Sequence, residues 1–117
     1  MIGSIGSALS GLQAAQTRLD ATARNLANAN TDGYKSLEVT AREGPALGVE
    51  TTVIRTNTPG PQVAEALGGI ETLVEKSNVD LSQEIPQLVT AKPLYQANLK
   101  AIQAQNEMLG SLLDLLK

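Results

Sequence analysis

The sequence contains no cysteine, no histidine, no phenylalanine and no tryptophan. The first two absences exclude disulfides, thiol and imidazole chemistry, and the usual zinc and haem ligands. The other two leave Tyr34 and Tyr95 as the only aromatic residues, 2% of a 117-residue chain. Compact cores draw much of their contact area from aromatic rings. Here the apolar residues, 42% of the total, are Leu, Ile, Val and Ala, which suit helix-on-helix packing. Positive charge is scarce and dispersed. With 9 Lys and Arg against 12 Asp and Glu the net charge is −3, so binding of nucleic acid through its phosphates is not expected. No stretch approaches the roughly 20 apolar residues of a membrane span, and the helices lack the basic face of a membrane-surface helix. The opening MIGSIGSALSGLQAAQ has neither the basic start nor the long apolar run of a cleavable signal peptide. If the chain leaves the cytoplasm, another route is expected.

What is present is a pair of heptads. In residues 2–26, Ile2, Leu9, Gln16 and Ala23 form one column, and Ile5, Leu12, Leu19 and Leu26 the other. Spacing that alternates three and four marks a narrow coiled-coil-like seam. Gly3, Gly6 and Gly11 each weaken the first turns by about 1 kcal/mol relative to Ala. The second heptad runs Leu81, Leu88, Tyr95, Ile102, Leu109, Leu116 beside Ile85, Lys92, Leu99, Asn106, Leu113. Asp80 with Gln83 three residues on predicts a capping box at its start. Pro86 and Pro93 predict a kink or a restart near each, because proline removes a helical donor, and the firmest helix is expected over 94–116. Between the heptads, 34–42 and 49–56 are rich in β-branched residues and read as short strands. Glu43-Gly44-Pro45 and Thr58-Pro59-Gly60-Pro61 punctuate them as turns, while 63–75, split by Gly68-Gly69, is ambiguous.

A lone leucine-seamed helix is unstable in water because its stripe stays wet, and full burial of one Leu or Ile contributes roughly 1.5–3 kcal/mol. Each helix therefore needs a partner, and the nearest is the other helix. The fold expected is mainly α: long terminal helices packed as an antiparallel coiled-coil-like hairpin around a small β-containing insert. The segments are 1–32 (helix and turn), 33–76 (insert) and 77–117 (second helix). If Asn30 lies opposite Asn78, Gln16 falls beside Lys92, Leu9 beside Leu99, and residues 108–117 overhang with their leucines unmatched. Exposed leucines in a row point to self-assembly or another partner, although a leucine heptad by itself is more often plain helix packing.

The stretch Asn25–Lys35, NLANANTDGYK, reads as a helix stop. Asn28 and Asn30 suit a helix end because Asn tolerates the left-handed conformation, and Asn30-Thr31-Asp32-Gly33 reads as a turn with Tyr34 beyond it. No nucleophile is paired with a base here. The carboxylates Glu38, Glu43, Glu50, Glu65, Glu71 and Glu75 are scattered, Asp32-Gly33 lacks the ligand spacing of a calcium loop, and Gly68-Gly69 is too short for a phosphate loop. No catalytic residue, metal site or cofactor is expected, and an enzyme is the remote option.

The pattern Ala27-Asn28-Ala29-Asn30-Thr31-Asp32-Gly33-Tyr34-Lys35 resembles the signature of the bacterial flagellar axial proteins, the rod and hook family. So does the opening, with Ile5, Ala8, Leu9, Gly11 and Leu12 before Ala14 and Ala15. So does the end, with Ser77-Asn78-Val79-Asp80-Leu81, then Tyr95-Gln96-Ala97-Asn98 and a leucine-rich terminal helix. The resemblance implies a subunit of a helical tube whose terminal helices pack as a core with the middle segment outside. It implies export unfolded through the flagellar type III apparatus without a cleaved signal, residence in the periplasm-spanning rod of the basal body, and torque transmission by contacts with other copies and other rod or hook proteins. Nucleic acid and small-molecule substrates are not implied. The short insert is most like that of a proximal rod protein, although Pro86 and Pro93, and the lack of an Asp/Pro/His-rich middle stretch, depart from the pattern. The residues expected at subunit contacts are Ile2, Ile5, Leu9, Leu12, Leu19, Leu26, Leu88, Tyr95, Leu99, Ile102, Leu109, Leu113 and Leu116. Those expected to shape the junctions are Ala27, Asn28, Asn30, Thr31, Gly33 and Tyr34, with Ser77, Asn78, Val79 and Asp80. The rival reading is a free-standing helical adaptor or export-chaperone-like module.

Overall fold

A computed structural model describes residues 2–116 and the side chains of residues 3–116; the expectation for the Ile2 side chain lies outside them. Two long helices flank two small antiparallel sheets: α1 (Ile2–Ala27), β1 (Leu37–Glu43), β2 (Val49–Arg55), β3 (Gln62–Leu67), β4 (Ile70–Glu75) and α2 (Leu81–Leu115). The whole is extended, 82 × 23 × 20 Å.

The helices meet at two levels. Asn25 hydrogen-bonds Glu84, and a Cβ on Gly11 would lie 3.1 Å from the Asn98 amide. Each pair sits one residue further along α2 than the register with Asn30 opposite Asn78 would give. A slip of one residue turns a helix by about 100°, which moves different side chains to the contact. The buried face of α1 is accordingly the small-residue stripe Ala14, Ala15, Ala21, Thr22 and Asn25. The leucine columns turn partly outward: Leu9 is 46% and Leu26 41% exposed. Gln16 does not pair with Lys92; its amide donates to Asp20 on its own helix at 3.1 Å. On α2 Leu88, Tyr95 and Ile102 of the first column are half-buried, while Leu81 at its start is 44% exposed. The second covered column is Glu84, Ala91, Asn98, Gln105, one residue before the expected Ile85, Lys92, Leu99, Asn106.

Pro86 and Pro93 do not interrupt α2, which is a single helix of 35 residues. Proline's missing donor removes one rung, but the rungs on either side continue. The Thr90 hydroxyl donates to the Pro86 and Gln87 carbonyls, 3.1 Å each. Asp80 caps the helix, accepting from the Ser82 amide at 2.9 Å. Gln83 donates to the Asp80 carboxylate at 3.3 Å, so the reciprocal half of a capping box is replaced by a second bond to the same cap.

The first hairpin, β1–β2, pairs Val39 with Val53 and Thr40 with Thr52. Strand β1 starts at Leu37, three residues later than Tyr34. The tip rests on α1, where the Ser7 hydroxyl donates to the Leu47 carbonyl at 2.9 Å and the Ser10 hydroxyl accepts from the Val49 amide at 3.0 Å. The ambiguous stretch 63–75 forms most of the second hairpin. Gly68 and Gly69 have φ of 64° and 85°, the left-handed pair of a two-residue type I′ turn. Its apolar residues are bare, with Leu67 63%, Ile70 69% and Leu73 71% exposed.

Candidate subunit interface

The junction is built on Asn25, which is 1% exposed. Its amide nitrogen donates to the Leu37 carbonyl and to Glu84 Oε1, 2.7 Å each. Its Oδ1 accepts from the Leu37 amide at 2.7 Å and from the Tyr34 hydroxyl at 3.1 Å. An Asn side chain offers two donors and two acceptor lone pairs, and all four are used, so one residue ties α1, the start of β1 and α2 together.

The expected helix stop is present but works differently. No Asn adopts the left-handed conformation; the only non-glycine positive φ angles among the described residues are at Ala46 and Leu47. Instead α1 ends at an exposed Ala27, and the Asn28 side chain donates to the Arg24 carbonyl at 2.9 Å. Thr31 donates to Asn28 Oδ1 at 3.2 Å and its amide to the Asn28 carbonyl at 3.0 Å, while Asn30 stays exposed. The one left-handed residue of the turn is Gly33, φ 69°, whose amide donates to the Glu75 carbonyl at 2.8 Å. A β-branched residue is strained at such a φ, by roughly 1–2 kcal/mol. Gly33→Val should therefore lower the melting temperature of the isolated chain by several degrees, and an unchanged melt would show that the turn tolerates a side chain.

On the other side of the neck, the Asn78 side chain accepts from the Ser36 amide at 2.6 Å and donates to the Thr56 and Thr58 carbonyls at 3.0 and 2.9 Å. Its own amide donates to the Tyr34 carbonyl at 3.2 Å. Ser77 is buried and its hydroxyl accepts from the Val79 amide at 3.2 Å; Val79 is half-buried and Asp80 is the cap. Two lysines fasten the second hairpin. Lys35 pairs with Glu75, whose carboxylate also accepts from the Gly60 amide at 2.8 Å. Lys76 pairs with Asp32 at 2.8 Å and with Glu65. These contacts, the Lys35 bond first, hold the Glu75 carboxyl below its usual range, and Asp32 and Glu65 hold the Lys76 ammonium above its own. The Asp80 carboxyl is likewise lowered, by the Ser82 hydroxyl and amide and then by Gln83. A Cβ on Gly60 would sit 2.0 Å from the Lys76 carbonyl oxygen, so only glycine fits there.

The residues expected at subunit contacts divide into two sets. Ile5, Leu12, Leu19, Leu88, Tyr95 and Ile102 are half-buried within the chain. Leu9, Leu26, Leu99, Leu109, Leu113 and Leu116 are exposed, the last two at 64% and 83%. Beyond Gln105 every described residue of α2 is exposed. Asn25, Glu84, Gly60 and Lys76 lie outside the sequence expectation. Asn25 was legible as the polar member of the stripe spaced with Ala14, Ala21 and Thr22, and Glu84 only by register. Among the described residues, no group of three or more acidic side chains is placed to hold a metal, and no helix is long and apolar enough to cross a membrane. The arrangement leaves apolar side chains exposed on a long helical stem, joined to a polar knot at one end.

Two family models match the chain, in order. The model described as flagella basal body rod protein covers residues 5–35, and the one described as flagellar basal body rod FlgEFG protein C-terminal covers residues 71–115. No curated protein matches.

Proposed function

The chain belongs to the flagellar rod and hook protein family, and from that premise we propose that it is a self-assembling structural subunit of the basal-body rod. Its terminal helices pack as an antiparallel coiled-coil-like hairpin, the insert 33–76 stands outside, and segments 1–32 and 77–117 form the tube that carries torque. The observation that carries this reading is the leucine surface left uncovered over the last turns of α2, together with Leu9 and Leu26 on α1. An intramolecular seam would hide its largest apolar side chains; here the small residues of α1 are hidden, Ile5, Leu12 and Leu19 are only half-buried, and Leu9 and Leu26 are exposed. At roughly 1.5–3 kcal/mol for each side chain fully buried, these exposed leucines supply ample drive for association with other copies and other rod or hook proteins. Passage through the flagellar type III apparatus without a cleaved signal belongs to the same reading, as do the absence of a small-molecule substrate and of catalysis.

Hydrogen exchange tests it. In the isolated chain at low micromolar concentration, amides of 2–12 and 106–116 should exchange quickly, while those around Asn25, Leu37 and Glu84 are protected. In purified basal bodies both ends should become protected. Strong protection along both helices in the monomer, unchanged by assembly, would favour the self-contained adaptor module.

A further inference from the structure

We infer that the cleft between α1, β1 and α2 receives one lysine ammonium from a second copy of this chain. The inference rests on the assembly reading above and names a polar contact within it. The cleft holds about 700 Å³ and is lined by three carboxylates, Glu38, Asp80 and Glu84, against one cation, Arg18. Asp80 is engaged as the cap of α2, and Glu38 is exposed to water. Glu84 is neither. It is 8% exposed, its Oε1 accepts from Asn25, and its Oε2 is screened from solvent with no donor among the described residues. Asn25 cannot serve Oε2, because its second amide hydrogen goes to the Leu37 carbonyl. A buried carboxylate oxygen left without a donor is costly, and a cation is its strongest partner.

The single free oxygen selects the cation. A guanidinium binds a carboxylate best through two parallel bonds to both oxygens, and here one oxygen is already taken. An ammonium is a compact charge on a flexible stem and needs only one. Ala15, Leu37, Val39, Ala91 and Leu94 line the same cleft, an apolar wall suited to the methylenes of a lysine stem. Within the chain, Lys35 and Lys76 are engaged with Glu75 and with Asp32 and Glu65. Lys92 and Lys100 stand exposed on α2, in no ion pair among the described residues. They lie two turns apart on the helix expected to meet neighbouring copies, and they are the donors assigned to the cleft.

The test compares Glu84→Gln, which keeps an oxygen for Asn25 but removes the charge, with Lys92→Met/Lys100→Met, which keeps the stems. Incorporation is read as the amount of chain in purified basal bodies, and folding as the melt of the isolated chain. Removing one partner of a desolvated charge pair should lower incorporation by about tenfold or more in each case. Combining all three changes should lower it no further, and Glu84→Gln should melt no lower than the parent chain. Wild-type incorporation of either variant, or losses that multiply in the combination, would overturn the inference. The lysine variant alters only exposed positions, so it decides the matter even if Glu84→Gln folds poorly. Absence of the unmodified chain from basal bodies would instead overturn the assembly reading.

Discussion

Replacing Leu109 and Leu113 by Asp should abolish incorporation of the chain into basal bodies while leaving the isolated chain folded. The two leucines lie four residues apart on the last turns of α2, where neighbours in a helix share a face, and they are 36% and 64% exposed. Every described residue of α2 beyond Gln105 is exposed, so aspartate there costs the monomer little; surface changes of this kind usually stay within about 0.5 kcal/mol. At a contact between subunits the same change acts twice. It removes two leucine burials worth roughly 1.5–3 kcal/mol each, and it places two carboxylates in an apolar contact where charge is strongly disfavoured. A loss of more than about 3 kcal/mol corresponds to over a hundredfold in association. The measurement is the amount of the chain in purified basal bodies against the amount exported to the medium. Export should continue and incorporation vanish. Normal incorporation would remove the exposed leucines as the reason for assembly.

That overhang was legible in the sequence, whereas the side of each helix that its partner covers was not. The heptads at Ile5, Leu12, Leu19 and at Leu88, Tyr95, Ile102 place both helices. They do not say which side of each helix its partner covers, because α1 carries two stripes, one of leucines and one of Ala, Gly and Thr. Small residues let backbones approach closely, and Gly11 against Asn98 is such an approach. Hydrophobicity ranks the leucines higher, yet close fit and the Asn25 network decide the intramolecular contact. On α2 the second covered column contains Glu84, Asn98 and Gln105, polar residues that an apolar pattern passes over. The second hairpin was legible in its Gly-Gly turn flanked by Val63, Leu67, Ile70 and Val74. It was obscured by alanines and glutamates of weak strand preference. Pro86 and Pro93 mark the opposite error, since local propensity against helix is outweighed by a long helix packed along one side. The candidate site divides the same way. NLANANTDGYK and Ser77-Asn78-Val79-Asp80 announce the junction, but only the fold shows that Asn25 is its centre and Asn78 its second tie.

Asn25→Ala should accordingly be the most damaging single change to the isolated chain. It deletes four hydrogen bonds at a side chain that is 1% exposed. It also leaves the Leu37 carbonyl and amide without a side-chain partner, and both oxygens of a buried Glu84 without a donor. A buried group left unsatisfied costs about 1–3 kcal/mol, and more when charged, so the loss should reach about 3 kcal/mol or more even if water reaches part of the site. In a chain of this size that lowers the melting temperature by roughly 10 °C or more. Asn30→Ala is the control: Asn30 is exposed, and its loss should leave the melt within about 0.5 kcal/mol of the parent. The contrast separates the two asparagines of one motif. If Asn25→Ala melted with Asn30→Ala, the polar knot would not be what holds α1, β1 and α2 together, and small-residue packing along the helices would have to carry the fold alone.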